Sequence, residues 1–208
     1  MEQITPPMGS FIETEDTVPT VSAEGISESD KWFVAIVKRN SEKVSRDSLN
    51  AEGYTAYVAT QTMMRRYAKR RPKAVEYVRI PAKVFIRMES FPTGKALSNF
   101  YKDHPYISGF MLDHARSRVD THAPDYAVIY EREMREMRSI LNDRDHEVLF
   151  GYPDESYVVG GTVKAVNGLL RGQEGTLVSK DGKSYFCLMI KGLDWAKVQV
   201  SREDIVPA

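Results

Sequence analysis

Residues 158–200 read VVGGTVKAVNGLLRGQEGTLVSKDGKSYFCLMIKGLDWAKVQV. Strand and turn signals alternate through this stretch without any helical repeat. Val158–Val166, Gly175–Ser179, Ser184–Ile190 and Trp195–Val200 are the predicted strands. Asp181-Gly182, between two of them, is a strong hairpin signal, because both residues tolerate the positive φ that a two-residue turn requires. In the last strand Ala196, Val198 and Val200 alternate with Lys197 and Gln199, so one face is buried and the other wet. Several short strands within about 52 residues predict a small barrel.

Working toward the N-terminus, Asp143 to Glu155 is polar, contains Gly151 and Pro153, and reads as a linker. From Glu131 the repeat is helical, with Met134, Met137, Ile140 and Leu141 forming a core stripe. Trp32–Val37 is apolar on both faces, as a strand covered on both sides would be. Asn40 or Ser41 can cap a following helix that reaches Gly53, with Glu42 in its first turn and a thin stripe of Val44 and Ala51 beside Leu49. Tyr54–Ala59 reads as a strand. A basic stretch, 61–74, breaks the pattern and Pro72 helps to end it. Val75–Val78 and Lys83–Met88 are strands separated by Pro81, Lys95–Lys102 is a helix, and Tyr106–Leu112 and Tyr126–Ile129 are strands. The fold class is α+β, with an α+β domain followed by a small β-barrel. The expected divisions are a disordered acidic leader (1–29), a first domain (30–143), a linker (144–156) and the barrel (157–208).

Composition narrows the function classes. The chain has 208 residues, 42% hydrophobic and 28% charged, and no apolar run approaches the ~20 residues of a membrane span. No secretory signal is visible at the N-terminus, and a single cysteine, Cys187, makes no internal disulfide, so cytoplasm is the expectation. His104, His114, His122 and His146 lack metal-ligand spacing, and no cofactor or nucleophile motif fits. Gly182-Lys183-Ser184 lacks the leading glycine of a phosphate loop, where Leu177 stands. The expectation is a protein that is not an enzyme and needs no cofactor or metal.

Charge is distributed unevenly although the net is zero. Residues 1–30 carry seven acids and no Lys or Arg, so all 29 basic residues lie from Lys31 onward, against 22 acids. A basic body implies an anionic partner. Its densest part is Arg65, Arg66, Lys69, Arg70, Arg71 and Lys73, with Tyr67 among them. Such a group suits phosphate contacts, which release counterions, and the tyrosine offers a stacking face. The acidic leader is expected to fold back over this stretch and weaken non-specific binding.

Gly160, Val163 and the run Gly168-Leu169-Leu170-Arg171-Gly172-Gln173-Glu174-Gly175 resemble the KOW motif, with Gly168, Arg171, Gly172 and Gly175 as its marked positions. That motif begins an SH3-like barrel in bacterial NusG proteins and in some ribosomal proteins. The first domain separates these. Trp32-Phe33-Val34, the basic hairpin, Ile80-Pro81-Ala82-Lys83-Val84-Phe85-Ile86 and Ile107-Ser108-Gly109-Phe110 resemble the NusG N-terminal domain, an α/β sandwich with an antiparallel sheet. The resemblance runs from about Lys31 to Ala208, and Lys38-Arg39 with the acidic leader is similar to the specialised RfaH and UpxY branch.

The resemblance implies a monomeric transcription elongation or antitermination factor, acting on specific operons such as surface-polysaccharide clusters. Its partners would be the clamp coiled coil of RNA polymerase, bound through Ile36, Ile80, Lys83 and Phe85, and non-template or upstream DNA. Lys38, Arg39, Arg65, Arg66, Lys69, Arg70 and Arg71 are the implied nucleic-acid contacts. The second domain would meet a ribosomal protein or the termination factor Rho. Lys83 departs from the family pattern Phe-Pro-Gly-Tyr, where an aromatic stands. The competing reading is a ribosome-associated RNA-binding protein that uses the same barrel.

Overall fold

The strand predicted from Trp32 to Val37 forms as β1 (Lys31–Val37) and lies centrally in an antiparallel sheet. The computed structural model describes residues 30–67, 70–113, 125–144, 146–168, 170–190 and 194–208, so the leader and Lys69 lie outside the described residues. On one side β1 pairs with β5 (Lys83–Arg87), which pairs in turn with β2 (Thr55–Tyr57). On the other side it pairs with β6 (Ile107–Phe110) near its end and β7 (Val128–Tyr130) near its start.

Alternation along β1 sends Phe33, Ala35 and Val37 to one face and Trp32, Val34 and Ile36 to the other. The first face packs on α1 (Glu42–Ala51) and α2 (Gly94–Asp103) through Leu49 and Phe100. The second packs on α3 (Glu131–Leu141), whose Met134, Met137, Ile140 and Leu141 are all buried, as their spacing predicts. Each such side chain withdrawn from water contributes about 1.5–3 kcal/mol. The indole N–H of Trp32 donates to Glu131 Oε2 at 2.6 Å, and Arg138 donates to Oε1 at 2.9 Å, which fixes α3 against the sheet.

Two predicted details of the first domain differ. Helix α1 does not bury a Val44–Ala51 stripe. Val44 is 54% exposed, and the buried positions are Glu42, Ser45 and Leu49. Glu42 turns inward because its Oε1 accepts the Ala82 amide at 2.7 Å, which ties the helix start to the turn before β5. The basic stretch is not a break either. It forms a hairpin of its own, β3 (Thr60–Tyr67) and β4 (Arg70–Val78), with Pro72 inside β4. Proline is tolerated in an edge strand, particularly beside the register shift seen between Arg65 and Tyr67.

The C-terminal part is a six-stranded antiparallel sheet: β9 (Val158–Ala165), β10 (Glu174–Lys180), β11 (Lys183–Ile190), β12 (Asp194–Val200), a short β13 (Ile205–Pro207) beside β9, and β8 (Val148–Phe150) beside β12. Strand β8 falls in the stretch read as a linker and pairs Val148 with Val198. Asp181 and Gly182 form the predicted turn, at φ 51° and 73°. Gly175 permits a close approach, since a Cβ there would lie 2.5 Å from the Cys187 carbonyl oxygen and 2.6 Å from the Phe186 ring. Helix α3 also packs against β11, so one apolar cluster runs from Trp32 and Phe85 through Met137 to Phe186 and Val198. The molecule is α+β with antiparallel sheets, and no helix among the described residues is long and apolar enough to cross a membrane.

Candidate nucleic-acid and protein interface

Strands β3 and β4 form a separate ribbon and pair only with each other among the described residues. Register places Arg65 directly opposite Lys73, and Arg65, Arg66, Arg71 and Lys73 are all exposed. Like charges facing one another across a ribbon destabilise it, and a polyanion reverses the sign of that effect. Arg70 lies in β4 opposite Tyr67.

The foot of the hairpin is tied down on two sides. Toward α1, Lys43 Nζ lies 2.6 Å from Glu76 Oε2 and Arg46 Nη1 lies 3.6 Å from Oε1. Burial pushes the Glu76 carboxyl up, but hydrogen bonds from Lys43 and Thr60 outweigh it and hold the group below the ordinary glutamate range. Toward the chain after α3, Arg79 Nη1 pairs with Glu147 Oε1 at 2.6 Å. Arg79 also lies over the Tyr77 ring at 5.4 Å.

Lys38 and Arg39 are exposed on the turn after β1. That turn is at the same end of the sheet as the hairpin foot: Val37 N–H donates to Ala82 O at 3.0 Å, and Lys38 N–H to Tyr106 O at 3.1 Å. The Lys38–Arg39 turn and the hairpin foot therefore share one end of the sheet, while the hairpin's own cations lie toward its tip.

The four residues predicted to meet a protein partner separate into two pairs. Ile36 is 39% exposed and Lys83 half-buried; they face each other across β1 and β5, with Gly109 on the far side of Ile36. Ile80 and Phe85 are buried in the cluster beneath α3 and the C-terminal sheet. The uncovered surface is thus a row running Lys83, Ile36, Gly109 across three strands. Ser108 Oγ borders it and donates to Ile36 O at 3.1 Å. Glu42, which fixes the neighbouring turn, carried no signal in the sequence beyond its place in a first helical turn. Ala82 stands in that turn at φ 59°, a conformation that favours glycine.

In the connection between β9 and β10 Gly168 and Gly172 adopt positive φ, 68° and 88°, Arg171 is exposed, and Leu170 inserts into the core. Cys187 is buried, and that burial pushes its thiol up to about 11 against the opposing pull of Lys197. No group of His, Cys, Asp and Glu among the described residues could hold a metal ion.

No protein-family model and no curated protein matches the chain. Among solved structures it is similar to one described as "Domain interaction in Thermotoga maritima NusG", at 18% identity over 85% of this chain and 96% of that one, with a TM-score of 0.44.

Proposed function

We propose that this chain is a non-enzymatic transcription elongation or antitermination factor of the NusG kind. In this reading it holds RNA polymerase with the uncovered row Lys83–Ile36–Gly109 and rests the β3–β4 hairpin on non-template or upstream DNA. The observation that carries the reading is the cationic ribbon, with Arg65 facing Lys73 at a tip that serves no core. Ile36 supplies apolar contact and Lys83 a cation suited to an acidic residue on a coiled coil. A factor that prefers the elongating state of the polymerase shifts its population away from the paused state. An operon-specific role of the RfaH and UpxY type, a cytoplasmic location, and a ribosomal protein or Rho as partner of the C-terminal sheet belong to the same proposal, as does an SH3-like barrel arrangement of that sheet.

Two measurements test it. Affinity capture with the full chain is expected to recover polymerase subunits; ribosomal subunits alone would favour the ribosome-associated RNA-binding reading instead. Replacing Arg65, Arg66, Arg71 and Lys73 with Gln should weaken single-strand DNA binding at least tenfold at low salt. The same change should flatten the dependence of log affinity on log salt by up to about 3, at ~0.7 for each phosphate no longer neutralised. An unchanged slope would remove the hairpin from the interface.

A further inference from the structure

Gln61 is only 1% exposed, although it lies on a ribbon that is otherwise largely solvated. Its Nε2 donates to the carbonyl oxygens of Asp143 (2.6 Å) and His146 (2.7 Å). Its Oε1 accepts from Arg79 Nε (2.9 Å) and from the Val148 amide (3.1 Å). A primary amide has two donor hydrogens and two acceptor lone pairs, and all are engaged. The partners come from two parts of the fold. Arg79 follows β4 and bonds through its own amide to Ala59 O at 2.7 Å, whereas Asp143, His146 and Val148 belong to the segment that leads into the C-terminal sheet.

That segment is shaped to meet the amide. Asp143 Oδ1 accepts the His146 amide at 2.9 Å, and Oδ2 lies 3.1 Å from His146 Nδ1, closing a turn that presents both carbonyls to Gln61. Val148 then opens β8, the edge strand paired with β12. A continuous series of bonds thus runs from the hairpin foot through one side chain into the C-terminal sheet. Satisfied polar networks of this kind, shielded from water, select one arrangement, since a half-made network leaves buried groups unpaired.

We propose that Gln61, with Arg79, is a latch that makes the seating of the basic hairpin and the attachment of the C-terminal sheet one cooperative unit. The proposal rests on the nucleic-acid reading of the hairpin and adds its regulation. Nucleic acid on the ribbon stiffens the latch and holds β8 in place; release of the C-terminal sheet loosens the ribbon and weakens its grip. Linkage makes the two effects equal in size. Gln61 and Arg79 act as positioning residues, since neither belongs to the exposed cationic set.

The test is amide hydrogen exchange on the full-length chain, with and without a twelve-nucleotide single-stranded DNA. In the wild type the oligonucleotide should slow exchange both in β3–β4 and at Val148. In Gln61→Leu, which keeps the volume and removes the bonds, it should protect the ribbon alone and bind about fivefold more weakly. Protection of the ribbon with Val148 unmoved in the wild type would overturn the latch, as would a Gln61→Leu chain that still transmits protection. Should Gln61→Leu fail to fold, Arg79→Lys, which keeps the charge and loses the paired geometry, is read in the same way. If the wild type binds no oligonucleotide, the nucleic-acid reading falls. The free chain then decides the latch: joint acceleration of β3–β4 and Val148 in the variant supports it, and acceleration on one side only refutes it.

Discussion

Hairpin β10–β11 lies between two further strands, β9 and β12, and turns through Asp181-Gly182 with both residues at positive φ. One of its faces is closed by buried Phe186, with Leu177 opposite it packed on the same core. Hairpin β3–β4 has no third strand among the described residues, carries exposed cations near its tip, and is secured at its foot by Glu76, Gln61 and Arg79. A two-stranded ribbon in water is marginal by itself. The first hairpin is therefore stabilised by what it buries, the second by polar bonds at one end. That division leaves the tip of β3–β4 free to be shaped by a ligand instead of by a core.

The largest effect is expected from attacking the buried hairpin. A Cβ at position 175 would lie 2.5 Å from the Cys187 carbonyl oxygen, which is backbone and cannot step aside. Gly175→Val should cost about 3 kcal/mol in denaturant unfolding, at the upper end of overpacking penalties. The same residue introduced on the ribbon, Ala74→Val at an exposed site, should move the midpoint little. A similar cost at both positions would erase the distinction between the hairpins.

An intermediate effect comes from the turns that serve each hairpin. Gly182 has φ 73° at the tip of β10–β11, and Ala82 has φ 59° in the turn beyond β4. A left-handed conformation costs a residue with a Cβ roughly 1 kcal/mol. Gly182→Ala should destabilise by about that much, and Ala82→Gly should stabilise by somewhat less, because glycine also gains freedom in the unfolded chain. Thermal unfolding reads both. Failure of Ala82→Gly to raise the midpoint would show that the Glu42 bond to the Ala82 amide already compensates the strain.

These positions show what the sequence could reveal. Asp181-Gly182 was legible because a positive-φ turn is a local requirement of two residues, and α3 because its four apolar positions repeat at helical spacing. The ribbon was only partly legible: its charge was plain, but without apolar alternation and with Pro72 inside it, its strands looked like a break. Strand β8 is three residues in a polar stretch, and its partner β12 lies more than forty positions onward, so no local pattern announces it. Glu42 and Gln61 are polar residues buried by specific long-range hydrogen bonds, which hydrophobic periodicity cannot register. Half of the candidate interface was therefore visible as charge, and the part that positions it was not.

The smallest expected effect separates the two hairpins by acidity. Glu76 is held below the ordinary glutamate range in the folded chain, so it binds its proton less readily there than when unfolded. Its contribution is complete above about pH 4.3, the ordinary value, and is lost as pH falls through the lower folded value. Because the carboxylate is partly exposed and screened, the loss should loosen the ribbon's foot without unfolding the domain. Exchange protection at Thr60 and Val78 should fall in that acid window while the Lys180–Lys183 pair shows no matching step. Glu76→Gln should abolish the step and leave the ribbon's protection flat with pH. If the step survives that substitution, Glu76 does not carry it, and the ribbon has one anchor where the geometry shows two.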